Sequence, residues 1–272
     1  MKLGVFDSGY GGLTILKNIR AALPHYDYIY LGDNARAPYG PRSFDVIYQY
    51  TLQAVRALFE KDCQLVILAC NTASAKALRT IQQCDLPRIA PERRVLGVIH
   101  PTVEAVPQLT KTAHIGILAT QGTVSSRSYQ LELKNIAPDI SVTALPCPMW
   151  VPLVEYGATE TPGADYFVSE RIETLLAKDP LIDTIVLGCT HYPLLLPTIK
   201  RHVPKNIKVI EQGTLVAASL ANYLQRHAEQ ADKLSQEGTC RYFTTEQPEN
   251  FATAAVNFIG AEQPQAFQIE LG

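Results

Sequence analysis

Two cysteines stand in segments that repeat each other. Val66-Ile67-Leu68-Ala69-Cys70-Asn71-Thr72 and Ile185-Val186-Leu187-Gly188-Cys189-Thr190-His191 share one grammar: an apolar run of strand length, a thiol, a polar pair, and then a helical pattern. A thiol at a strand-to-helix turn sits beside unpaired backbone N–H groups and the positive end of a helix, which lowers its pKa and draws carboxylates. One such cysteine alone reads as a small buried residue at a tight turn. A matched pair reverses that weighting, because two thiols facing one cleft can work from opposite sides of one atom. Asn71 or Thr72 is expected to cap the helix that runs through Ser74, Ala77 and Leu78, and Thr190 the one that begins near Pro193, a residue suited to a first helical turn.

Other residues of chemical interest cluster at similar turns. Asp7-Ser8-Gly9-Tyr10-Gly11-Gly12 follows the first apolar run and opens a helix at Leu13 and Thr14. Thr14 stands where a dinucleotide-binding fingerprint needs its third glycine, so the signature of nicotinamide or flavin binding is incomplete. The glycines still permit close backbone approach to a small ligand, with Asp7 and Ser8 as polar handles. Gly32-Asp33 and Pro38-Tyr39-Gly40-Pro41 form a turn-rich loop able to lid a pocket and to offer the N–H groups of Tyr39 and Gly40 to an anion. His191 is within reach of Cys189 as a charge partner, and Glu155 in Val154-Glu155-Tyr156-Gly157 is a candidate general acid or base.

These residues need a scaffold, and the chain supplies an α/β one. Apolar runs at 3–6, 28–31, 65–69, 95–99, 114–118, 141–145, 184–188 and 208–210 alternate with amphipathic stretches such as 43–61, 73–83 and 166–177. That is the rhythm of parallel strands joined by crossover helices. Leu3-Gly4-Val5-Phe6-Asp7-Ser8 resembles Ile115-Gly116-Ile117-Leu118-Ala119-Thr120, at nearly the offset that relates the two cysteine segments, so the chain reads as two related halves. The expected architecture is two pseudo-symmetric domains, each a mostly parallel sheet flanked by helices, with the active site in the cleft between them. Residues 1–97 and 209–272 would form the first and 98–208 the second, the chain crossing at the Pro-containing segment 85–94 and at Pro204-Lys205-Asn206. The charged stretch 227–237 reads as a solvated helix and its exit.

Composition excludes several functions. In 272 residues, 24 Lys and Arg face 26 Asp and Glu, a net charge of −2, which provides no basic field for nucleic acid. No apolar run reaches the roughly 18 residues of a membrane span. The start Met1-Lys2-Leu3-Gly4-Val5-Phe6-Asp7 meets a carboxylate too soon for a signal peptide, so a cytoplasmic protein is expected. Six scattered cysteines without Cys-x-x-Cys argue against a disulfide framework and a zinc site, and most of them are expected to be small buried hydrophobes.

Taken jointly, Phe6-Asp7-Ser8-Gly9-x-Gly11-Gly12-Leu13, Gly32-Asp33 with Pro38-Tyr39-Gly40, Ala69-Cys70-Asn71-Thr72-Ala73-Ser74 and Gly188-Cys189-Thr190-His191-Tyr192-Pro193-Leu194 resemble the glutamate racemase family of the aspartate/glutamate racemase superfamily over most of the chain. The resemblance implies cofactor-independent, metal-free racemisation of free glutamate for peptidoglycan synthesis by a homodimer. It implies that Cys70 acts on D-glutamate and Cys189 on L-glutamate, that Asp7 and His191 assist their neighbouring thiols, and that Glu155 is a further helper. It assigns substrate contacts to Asp7, Ser8, Tyr39, Gly40, Asn71, Thr72, Thr120, Thr123, Thr190 and His191. The chain departs from the family's pattern at His100-Pro101-Thr102, where a Glu-Pro pair and a small residue are common, and at Glu211-Gln212, where an Asp is usual; beyond Thr123, Val124-Ser125 is also atypical.

Inverting a carbon without a cofactor requires bases on both faces. Each unit of pKa mismatch between thiol and Cα–H costs about 1.4 kcal/mol. A turnover of about ten per second allows a barrier of roughly 16 kcal/mol, so the mismatch left in the site is at most about a dozen units. Fixed donors must therefore stabilise the developing carbanion in a site that excludes water. An aspartate racemase is the nearest alternative, since one methylene is worth only about 1 to 3 kcal/mol of discrimination. A non-catalytic dicarboxylate-binding protein is another, though binding needs neither cysteine.

Overall fold

The eight apolar runs become eight parallel strands. In the computed structural model, which describes residues 1–260 and 263–272, β1 (Lys2–Asp7), β2 (Tyr28–Gly32), β3 (Cys63–Leu68) and β4 (Arg94–Gly97) belong to one sheet. β5 (His114–Ala119), β6 (Ser141–Pro146), β7 (Thr184–Gly188) and β8 (Lys208–Ile210) form the other. Strand order is β2-β1-β3-β4 in the first and β6-β5-β7-β8 in the second, so the repeat read from the sequence is also a repeat of topology. β1, β3, β5 and β7 occupy the central positions. They are buried almost throughout, because helices cover both faces of each sheet, and that is why they read as continuous apolar runs.

Two further strands lengthen the first sheet beyond β2: β9 (Cys240–Thr244) and then β10 (Ala266–Gln268). Neither was expected. β10 is three residues at the sheet edge with little buried side chain, so it lacks the apolar run that marks the others.

The expected helix at 43–61 is present as Phe44–Glu60, capped by Ser43, and that at 166–177 as Pro162–Lys178, capped by Thr161. The stretch 73–83 is not one helix. It breaks into Asn71–Lys76, Leu78–Thr80 and a wider π-type turn, Ile81–Asp85.

The chain leaves the first sheet after Gly97, where the expected first segment ends, but the crossing is not within 85–94, which leads into β4 beside β3. Lys208 pairs with Thr184 of β7, so position 209 falls inside the second sheet and the return comes after Ile210. The helix Gly213–Arg226 then packs along Gly12–Ala22 of the first half. The stretch 227–237 is a short helix, Ala228–Ala231, and its exit, with most side chains in solvent; Gln230 and Leu234 are the buried exceptions, and Gln64 Nε2 donates to Gln230 Oε1 at 2.9 Å. Among the described residues, no helix is long and apolar enough to cross a membrane.

Candidate functional site

The carboxyl ends of the four central strands deliver the polar residues of one cavity. Ser8 follows β1, Thr120 follows β5, Cys189 follows β7, and Cys70 lies two residues beyond β3. Such a crevice is where open parallel sheets hold ligands. The cavity is about 360 Å³ and takes walls from both halves: Ser8, Tyr39, Gly40, Cys70, Asn71 and Thr72 from one, Thr120, Glu155, Cys189, Thr190 and His191 from the other. Both thiols therefore open on the same space. Of the residues expected to touch substrate, Asp7 and Thr123 do not line it; both are buried behind it.

Cys70 is itself the cap of the Asn71–Lys76 helix, its Sγ accepting from Ala73 N at 3.5 Å. The expected caps Asn71 and Thr72 are instead the first two helical residues, and their side chains reach elsewhere. Ser8 Oγ is 3.3 Å from Cys70 Sγ. Thr190 caps nothing either. Its carbonyl accepts from Thr14 Oγ1 at 3.0 Å, and the turn Tyr192–Leu195 starts after His191.

The helix-end effect does not set the thiol pKa values. Burial pushes Cys70 up to about 11, aided by the Asp7 charge and opposed by the Ser8 hydroxyl and the Ala73 N–H. Burial likewise pushes Cys189 well up, against a backbone N–H from His191. Loss of hydration outweighs the few aligned N–H groups at these short turns.

Asp7 sits close enough for its charge to raise both thiols. Burial raises its own pKa, while His191 and the N–H groups of Gly12 and Gly9 oppose. Gly9 N donates to Oδ2 at 3.0 Å, whereas Oδ1 is buried with no partner among the described residues. On the other side, His191 Nδ1 is 3.9 Å from Cys189 Sγ and His191 Nε2 is 3.0 Å from Glu155 Oε1, so Glu155, His191 and Cys189 form a line.

Thr72, Thr120 and Thr123 form a hydroxyl cluster, Thr120 lying 2.9 Å from Thr72 and 3.1 Å from Thr123. The Tyr39 hydroxyl donates to Asp33, which also takes Arg36 and Thr245, so the loop is braced from behind. Gly11 serves packing rather than a ligand: a Cβ there would lie 2.4 Å from both His191 Nδ1 and Thr190 Oγ1. Of that turn's three glycines only Gly9 lines the cavity.

Sequence reasoning missed the apolar wall of Pro148, Val151 and Pro152, and with it Cys147, a third cysteine in the lining. Pro146-Cys147-Pro148 directly after the run 141–145, at the same strand edge, was the available signal. Cys84 departs from the buried class expected of most cysteines, being exposed. Among the described residues, no Lys or Arg lines the cavity. His100 lies on a separate cleft, where it pairs with Glu104 and Glu132, and Glu211 is raised by burial.

A family model described as Asp/Glu/Hydantoin racemase matches residues 13–221. The chain is 40% identical over 269 residues to a glutamate racemase of Roseobacter denitrificans, covering 95% of this chain and 97% of that protein. It is similar to the crystal structure of the glutamate racemase isoform RacE1 from Bacillus anthracis, with a TM-score of 0.89 and 32% identity over 99% of this chain and 97% of that one. It is also similar to the glutamate racemase of Francisella tularensis in complex with D-glutamate, with a TM-score of 0.86 and 31% identity over 99% and 97%.

Proposed function

The chain belongs to the Asp/Glu/Hydantoin racemase family, and from that premise we propose that it interconverts L- and D-glutamate by proton transfer at Cα between two thiols, supplying D-glutamate for peptidoglycan synthesis. One observation carries the reading: Cys70 and Cys189, from matching turns of the two halves, open on one cavity. With D-glutamate bound, the Cys70 thiolate takes the Cα proton; the C–H electron pair passes into the α-carboxylate as an enediolate while an S–H bond forms. The Cys189 thiol then donates its proton to the opposite face. L-glutamate follows the reverse course.

Burial raises both thiols, so each needs a local acceptor to become a base. The buried Oδ1 of Asp7, without a partner among the described residues, serves Cys70, and His191, held by Glu155, serves Cys189. Substrate contacts come from Ser8, Asn71, Thr72, Thr120 and Thr190 and from the backbone at Tyr39 and Gly40. Asp7 and Thr123 act from behind the wall. The N–H and hydroxyl groups supply fixed dipoles for the enediolate where no cation is at hand, and Pro148, Val151 and Pro152 keep water out. The bound D-glutamate of the Francisella tularensis relative supports the substrate class. The proposal includes a homodimer working in the cytoplasm.

The test is circular dichroism of L-glutamate and of L-aspartate incubated with purified protein and no added cofactor, run in deuterated water. Loss of the glutamate signal with deuterium entering Cα is expected, aspartate reacting about ten- to a hundred-fold less well. No exchange in either glutamate enantiomer would leave a dicarboxylate-binding protein, and faster turnover of aspartate an aspartate racemase.

A further inference from the structure

Asn71, Tyr129 and Gln212 close a ring of hydrogen bonds beside Cys70. Asn71 Nδ2 donates to Gln212 Oε1 at 2.6 Å, Gln212 Nε2 donates to the Tyr129 hydroxyl at 3.0 Å, and that hydroxyl donates to Asn71 Oδ1 at 2.8 Å. The second hydrogen on Gln212 Nε2 reaches Thr102 Oγ1 at 2.9 Å and the Val98 carbonyl at 3.2 Å. All four side chains are buried, so each bond is made in a setting that makes its loss costly.

The ring ties the two halves together. Asn71 opens the helix after β3, Thr102 lies on Ile99–Leu109, Tyr129 on Ser128–Ile136, and Gln212 on the return from β8. Its polarity is also fixed: position 212 must accept from Asn71 and donate to Tyr129 and Thr102 at once, which an amide does and a carboxylate does not. Thr102 and Gln212, both departures from the family's pattern, here bond to each other.

Asn71 alone in the ring lines the cavity. One hydrogen on its Nδ2 goes to Gln212 and its oxygen is held by Tyr129, which leaves a single N–H to offer an occupant. We infer that Gln212 and Tyr129 are positioning residues for the racemisation, acting through Asn71 by locking its amide so that this N–H faces the substrate. Neither touches substrate. The inference rests on the racemase reading above.

A double-mutant cycle tests it. Tyr129→Phe and Gln212→Glu are each made in the native chain and in Asn71→Ala, and kcat and KM are measured for both glutamate enantiomers. Gln212→Glu is expected to lower kcat/KM about ten- to a hundred-fold and Tyr129→Phe about ten-fold, the range for one unsatisfied buried polar group. Both losses should shrink below about two-fold in Asn71→Ala, because the group they aim is gone. Penalties that persist undiminished in Asn71→Ala would overturn the inference, since a merely structural role is additive. Tyr129→Phe removes one oxygen and keeps the cycle readable if Gln212→Glu does not fold. If Asn71→Ala turns over too slowly, the same cycle read as glutamate affinity by calorimetry gives the same two outcomes. Absence of racemisation in the native protein would instead remove the underlying function and is seen in the first assay.

Discussion

Cys70 and Cys189 differ in their neighbours more than in their chemistry. Ser8 and Asp7 attend the first, His191 and Glu155 the second. Replacing either sulfur should stop inversion while sparing exchange on the side that keeps its thiol. Cys70→Ser is expected to lose at least about a thousand-fold in racemisation yet still wash deuterium into L-glutamate, and Cys189→Ser to do so with D-glutamate; proton NMR in deuterated water reads both. The pH dependence follows from burial. A thiol raised to about 11 is neutral at pH 7, and if it lost its proton to solvent its thiolate fraction would grow ten-fold per pH unit below that value. Because Asp7 takes that proton inside the site, ionising the thiol draws nothing from solvent, and kcat/KM should stay flat within about two-fold from about pH 7 to about pH 9. A profile climbing ten-fold per pH unit would mean that solvent rather than Asp7 takes the proton. These residues were legible in the sequence because types and spacing repeat. Asp7 and Thr123 were legible as residues but not as a second layer, since depth is a property of packing that spacing along a chain does not encode.

At the level of elements, the turn after β1 meets the turn after β7 without room for a side chain at Gly11. Gly11→Ala should force Thr190 and His191 away, costing about 1 to 3 kcal/mol as overpacking does and lowering Tm by about 3 to 10 °C. Turnover should fall more than ten-fold, because the displaced ring is the partner of Cys189; calorimetry and the racemisation assay check the two effects separately. The central strands could be read because burial on both faces leaves an unbroken apolar run. The helix starts could not. Asn71, Thr72 and Thr190 have capping side chains, but Asn71 and Thr72 reach partners more than forty residues away, and a thiol took the cap that Asn71 or Thr72 was expected to fill. β10 and the true return after Ile210 were invisible for a related reason: both are fixed by pairing to a distant strand rather than by local pattern.

Across the whole molecule, stability in acid turns on carboxylates that pin loops to the sheets. Burial alone would raise Asp27, but hydrogen bonds from the Thr239 hydroxyl and N–H and from the Glu237 N–H hold it at about 2 against an ordinary 3.8. A folded-state pKa below the unfolded one gives stability that is complete above the unfolded value and lost as pH falls through the folded one. Asp27 should thus contribute about 2 kcal/mol at neutral pH that disappears between about pH 4 and about pH 2. Urea midpoints measured against pH should fall less steeply over that window in Asp27→Asn. The two-halves architecture itself was legible from the paired segments, and it carries one more consequence. Because the sulfurs are dressed unequally, saturating speed and affinity will differ between the two directions. Mirror-image solutes are isoenergetic in water, so those two biases must cancel, and the specificity constants for the left- and right-handed amino acid have to be identical however lopsided the walls become.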